Sequence, residues 1–111
     1  MTLCARAAFA FDASQVGRDS RPVMRAAYDC FRTAGVKPET ILQAAGPGEG
    51  SHDAFYAWLY VGLWHEAHGN AEEAQAAVTK AVATQYAKLS GDYMASLAQV
   101  HCLRRGWPSN S

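Results

Sequence analysis

Two short stretches of this chain carry side chains of the kinds that do chemistry. His65-Glu66-Ala67-His68 sets two imidazoles around a carboxylate, and His101-Cys102 puts a base beside a thiol. The first comes close to the zinc-protease pattern, in which two histidines four residues apart hold the metal and the Glu between them acts as base; here the histidines are three apart, and the match fails by one residue. The second fails on direction, because successive side chains on a helix diverge by about 100° and cannot form a nucleophile pair with each other. That leaves only a cross-helix pairing with His65 or Asp92. Asp29, Glu39, Asp53 and Glu66 supply carboxylates, yet acids near helix starts are what capping and the helix dipole place there, and no paired-acid arrangement emerges. Gly46-Pro47-Gly48-Glu49-Gly50 has the glycines of a phosphate loop without the following Lys or the preceding strand, so it reads as a connector. Arg104 and Arg105 with Trp107 make a small basic-aromatic end that helix C-terminal chemistry explains better than an acidic or RNA partner. The residues therefore imply no catalysis, no metal and no cofactor.

The elements that would position these groups follow from composition and punctuation. A chain of 111 residues, half of them hydrophobic and 18% charged, supports one small packed core and excludes both a multidomain enzyme and a disordered tail. Ten basic residues balance ten acidic ones, so the basic footprint of a nucleic-acid binder is missing. Cys4, Cys30 and Cys102 are an odd number at wide spacing, which reads as reduced thiols, with Cys30 and Cys102 as small core residues. The longest apolar run, Ala54 to Trp64, is about half of what a membrane-spanning helix requires. Residues 1–19 read as a flexible N-terminal segment without a proper presequence or lipidation signal, 20–107 as the domain, and 108–111 as a tail.

Gly, Pro, Ser and Asn fall in clusters between segments dense in helix formers, and the expectation is an all-α chain of about five helices. The first begins with Pro22 in its opening turn, ends at Gly35 and buries Val23, Ala27, Phe31 and Ala34. The second opens at Pro38-Glu39 and contributes Ile41, Leu42 and Ala45. Ser51 caps the third, whose Ala54 to Trp64 stretch is apolar on every side and must be surrounded. Gly69 stops it and Asn70 caps a fourth helix, packed antiparallel and running to Lys88, which buries Ala74, Ala77, Val78 and Ala81. Ser90-Gly91-Asp92 opens the fifth, which presents Tyr93, Leu97 and Val100, with Met94 and His101 a turn around, and closes at Gly106.

Helices three and four carry the spacing of a tetratricopeptide repeat over about Phe55 to Lys88. Trp58, Val61 and Gly62 fall on its Trp-Leu-Gly positions, Gly69 on the interhelical turn, and Ala74, Val78 and Ala81 on the second helix. His65 stands where that pattern has Tyr, and Tyr86 where it has the closing Pro. With Pro38-Glu39-Thr40-Ile41-Leu42, Gly91-Asp92-Tyr93-Met94 and Val100 to Trp107, the chain from Ala27 to Trp107 resembles small tetratricopeptide proteins of bacteria and chloroplast-bearing organisms, related to lipoprotein adaptors. That resemblance implies antiparallel hairpins in a right-handed superhelix and a docking scaffold without chemistry of its own. It also implies a concave face made by Tyr56, Leu59, Leu63 and Glu66. Such an apolar stripe is covered either by the chain's own N-terminal segment or first helix, or by a peptide or helix of a partner anchored on Tyr56 and Leu63. Self-association through the same stripe is the alternative, and a small metal- or cysteine-dependent enzyme a weaker one.

Overall fold

The computed structural model describes residues 22–33, 35–46 and 51–107; the expected N-terminal segment, Cys4, Ala34, all but the first residue of the glycine connector and the tail lie outside them. Among the described residues there are six helices and no strand: α1 (Pro22–Arg32), α2 (Glu39–Ala45), α3 (His52–Ala67), α4 (Ala71–Val82), α5 (Gln85–Leu89) and α6 (Tyr93–Arg105). The all-α expectation holds. None of these helices is long and apolar enough to cross a membrane.

The lack of a polar face on α3 dictates the arrangement, because a helix apolar all round is stable only when covered. Accordingly α1, α2, α4 and α5 all pack on it, and Phe55, Ala57, Leu59, Tyr60, Val61 and Leu63 are buried. Its start is set by Ser51, whose Oγ accepts from the Ala54 amide at 3.2 Å. Its end is set by Gly69, which takes φ 77°. There the Asn70 amide donates to the His65 carbonyl at 2.8 Å and the Gly69 amide to that of Glu66 at 3.2 Å, the paired bonds of a glycine-closed helix end. Asn70 does not cap α4 with its side chain as expected; its amide nitrogen reaches back 3.1 Å to His65 Nδ1.

The chain then doubles back, and α4 lies antiparallel against α3, with Lys80 over Trp58 and Ala74 and Val78 at Gly62. The crossing at Gly62 is so close that an added Cβ would stand 3.1 Å from the Val78 amide nitrogen and 3.3 Å from the Ala74 carbonyl oxygen, as well as striking the Val78 side chain.

Three expectations need correction. Helix four does not run to Lys88: Thr84 adopts extended backbone and its Oγ1 accepts from the Ala87 amide at 3.1 Å, so the second half of the expected unit from Phe55 to Lys88 is divided into α4 and a five-residue α5, giving six helices where about five were expected. On α1 the buried face is Val23, Met24, Ala27, Tyr28 and Cys30, while Phe31 is exposed. On α6 the buried face is Ala95, Ala98, His101 and Cys102, and the larger Tyr93 and Val100 are exposed. On α1 Val23 and Ala27 are buried as expected and Phe31 is not; on α6 His101 is buried and Met94 and Leu97 are half-buried, while Tyr93 and Val100 face out.

Gly62→Ala tests the crossing. Alanine gains about 1 kcal/mol in helix propensity, yet its methyl group meets backbone atoms that move only if α3 and α4 separate. We expect a net loss of about 1–3 kcal/mol in urea unfolding; a stabilised variant would show the crossing to be looser than described.

Candidate functional site

The stripe expected to form a concave docking face is not a free surface. Leu59 and Leu63 are fully buried in the common core, because the helix that carries them is enclosed from several directions and α1 is among the helices packed on it. Tyr56 is half-buried and Glu66 retains only 13% of its side-chain exposure, and both are taken up by polar contacts to α6. The repeat-signature residues Gly62, Ala74, Val78 and Ala81 are buried, Trp58 is half-buried beneath the Lys80 ammonium at 4.4 Å, and Gly69 lies in the exposed turn.

Two polar nodes join α3 to α6, one near each end. At the N-terminal end, Asp92 Oδ2 accepts from the Tyr56 hydroxyl at 2.6 Å and from the Tyr86 hydroxyl at 2.5 Å. Its Oδ1 accepts from the Met94 amide at 2.8 Å, which caps α6. Burial alone would raise the Asp92 pKa, but the two hydroxyls, the amide and the nearby His52 outweigh it and hold the carboxyl below its ordinary value. Burial and the bond to Asp92 push the Tyr56 hydroxyl well up; the same bond, then burial, raises Tyr86. The His52 ring lies 4.7 Å from that of Tyr56 and 5.0 Å from that of Tyr86. At these separations the rings are in mutual contact and leave no space between them for a ligand.

At the C-terminal end, His101 Nε2–H donates to Glu66 Oε2 at 2.8 Å, and the Arg105 guanidinium pairs with Glu66 Oε1. The cross-helix partner of His101 is thus Glu66, not His65 or Asp92. Trp107 sits edge-on to the His101 ring with centroids 5.5 Å apart. It is brought there by Gly106, at φ 73°, through the Trp107 amide bond to the Cys102 carbonyl at 2.9 Å. Because the nodes pair the start of α3 with the start of α6 and the end with the end, the two helices run parallel.

The remaining candidate side chains make contacts within the fold. His65 accepts from Asn70, and His68 Nδ1 donates 2.7 Å to the Trp64 carbonyl while its ring stacks on Trp64 at 3.9 Å. Among the described residues no group of three or more His, Cys, Asp or Glu side chains is placed to hold a metal ion. Cys30 and Cys102 are both buried, and burial raises both thiols above their ordinary value, which keeps them protonated and poor as nucleophiles.

What sequence reasoning missed is the outward side of α6. Leu89 at the end of α5 is 80% exposed, Leu103 71%, Tyr93 59% and Val100 46%. The helix buries the small Ala95, Ala98 and Cys102 with His101 and half-buries Met94 and Leu97, while Tyr93, Val100 and Leu103 stand outward. Spacing gave no signal, since both faces of α6 contain apolar residues; the signal lay in size. No protein-family model matches the chain, and neither does any curated protein or solved structure.

The Asp92 node yields a pH prediction. Folding lowers the Asp92 pKa, so its contribution is complete above the unfolded value of about 3.9 and is lost as pH falls through and below it. Folding raises Tyr56 and Tyr86, so theirs is complete below about pH 10 and is lost as pH rises beyond that. Absorbance titration of the five tyrosines should show a late component above the ordinary midpoint, and Asp92→Asn should move it down. Asp92→Ala, which removes the cap and leaves two hydroxyls without their acceptor, should cost about 1–3 kcal/mol.

Proposed function

We propose that the protein is a non-catalytic interaction module of the tetratricopeptide class, and that its docking face is the outer side of α6 with the end of α5. The observation that carries this reading is the exposure of Tyr93, Val100 and Leu103, which helical spacing puts on one side of α6, and of Leu89 at the end of the adjoining α5. Large apolar side chains exposed along one helix face are what binding faces present and what isolated domains keep few. The class is supported by the close antiparallel α3–α4 pair around Gly62 and by the parallel run of α3 and α6, with α4 packed on both. In a repeat array the first helices of successive units run parallel in the same way, and a terminal helix offers a face to whatever follows. The alternative, self-association through a surface stripe, would use this same face.

The reading moves the anchors from Tyr56 and Leu63 to Val100 and Leu103, and the two positions separate cleanly by mutation. Leu63→Asp should unfold the domain, because it buries an unpaired charge in the core. Leu103→Asp should change stability by no more than about 0.5 kcal/mol, while abolishing capture of partners by the immobilised protein from its native source. If Leu103→Asp retains the full set of captured proteins with an unchanged melting curve, α6 is not the docking face.

A further inference from the structure

We propose that the occupant of the α6 face is an amphipathic helix of another protein whose apolar seam is flanked by acidic side chains; this rests on the docking reading above and adds the chemistry of the partner. The spacing of the face is that of a helix pair. Tyr93, Leu97, Val100 and Arg104 stand four, three and four residues apart, the alternation of seam positions between paired helices, and Ser96 and Leu103 flank that seam on one side. A strand would require free backbone donors and acceptors, which the side of a helix does not offer.

Charge selects the kind of helix. The two helices that form the face carry Lys88, Arg104 and Arg105, the last of them paired with Glu66, and no acid; Asp92 stands at the start of α6. Asp92 is engaged by two tyrosine hydroxyls and an amide. The exposed Lys88 adjoins Leu89, and the exposed Arg104 continues the seam beside Leu103. The apolar face thus has a basic margin, and a helix with acidic margins is its electrostatic complement.

The same charges disfavour the other occupants. A second copy docked symmetrically on α6 brings Lys88 and Arg104 to an interface that carries the same two basic residues on its other side, and like charges across an interface oppose association. Residues 1–21 of this chain carry Arg6, Arg18 and Arg21 against Asp12 and Asp19, and bring positive charge to a positive margin.

The test uses the full chain and two synthetic helical peptides of about 21 residues, long enough for three heptads. They have identical Leu seams, with Glu at every flanking position in one and Lys in the other. Binding is read from amide chemical shifts and from the anisotropy of the labelled peptide. The Glu peptide should bind at least about tenfold more tightly than the Lys peptide at low salt, with shifts centred on Val100 and Leu103. The double variant Lys88→Glu, Arg104→Glu should reverse the order, and Leu103→Asp should abolish both. Equal affinity for the two peptides, lost in Leu103→Asp, overturns the acidic partner while leaving the docking face in place. Failure of both peptides to move the α6 amides overturns both. A dimer in sedimentation that Leu103→Asp dissolves makes a second copy the occupant and overturns the proposal.

Discussion

The approach of α3 to α4 at Gly62 is the contact on which the rest of the molecule depends. With no side chain at that position the Ala74 carbonyl and Val78 amide come within ordinary contact of where a Cβ would be, and the small Ala74, Ala77 and Ala81 keep the two axes close along the crossing. This closeness makes α3 the interior of the domain. Once α4 covers it from one direction, α1, α2 and α5 complete the enclosure, and an apolar helix that could not stand in water becomes the core.

The sixth helix is held differently. Its fully inward residues Ala95, Ala98 and Cys102 are small, with Met94 and Leu97 half-buried beside them, and they contribute modest buried area, at about 25 cal/mol per Å². To that packing are added the Asp92 node at one end and the Glu66–His101–Arg105 node at the other. Charge-assisted hydrogen bonds are directional and stronger than neutral ones, and two of them at opposite ends of parallel helices fix both the register and the rotation of α6. Glu66 accepts from the His101 ring and pairs with the Arg105 guanidinium, as Asp92 serves two hydroxyls. These carboxylates are consumed in joining helices, which is why neither node offers an open acid or base for reaction.

How much of this was legible in the sequence depended on the kind of signal. Helix boundaries set by backbone chemistry were readable: Ser51 as cap, Gly69 and Gly106 as left-handed closures, Pro38-Glu39 as an opening. The enclosure of α3 followed from its having no polar side. Thr84 was overlooked because a lone threonine in an alanine-rich stretch is compatible with a continuous helix, and only its extended backbone reveals the break. The apolar stripe is covered, as one of its two expected readings had it, by the chain's own helices. Tyr56, Leu59, Leu63 and Glu66 occupy the right positions for a concave face in a long array, but in a domain this small α1 and α2 close over α3, and Leu59 and Leu63 become core. Glu66 and Tyr56 were then free to be recruited as joints, a pairing over 35 and 36 residues of sequence that no local pattern encodes.

The division of labour on α6 bears directly on function. Had Tyr93, Val100 and Leu103 faced inward, the helix would have been held by burial, and its outer side would have been an alanine surface with nothing to offer. With the polar nodes sharing the attachment, the larger apolar side chains are released to the outside without loosening the helix. Burying a Leu or Val side chain fully is worth about 1.5–3 kcal/mol, so the outward face holds free energy comparable with a good part of the total stability of a small domain. In the docking reading proposed above, a face held in place before contact would lose little entropy when a partner arrives, and more of that energy would appear as affinity. The hydrogen bonds inside the molecule are what allow these apolar side chains to stand outside it.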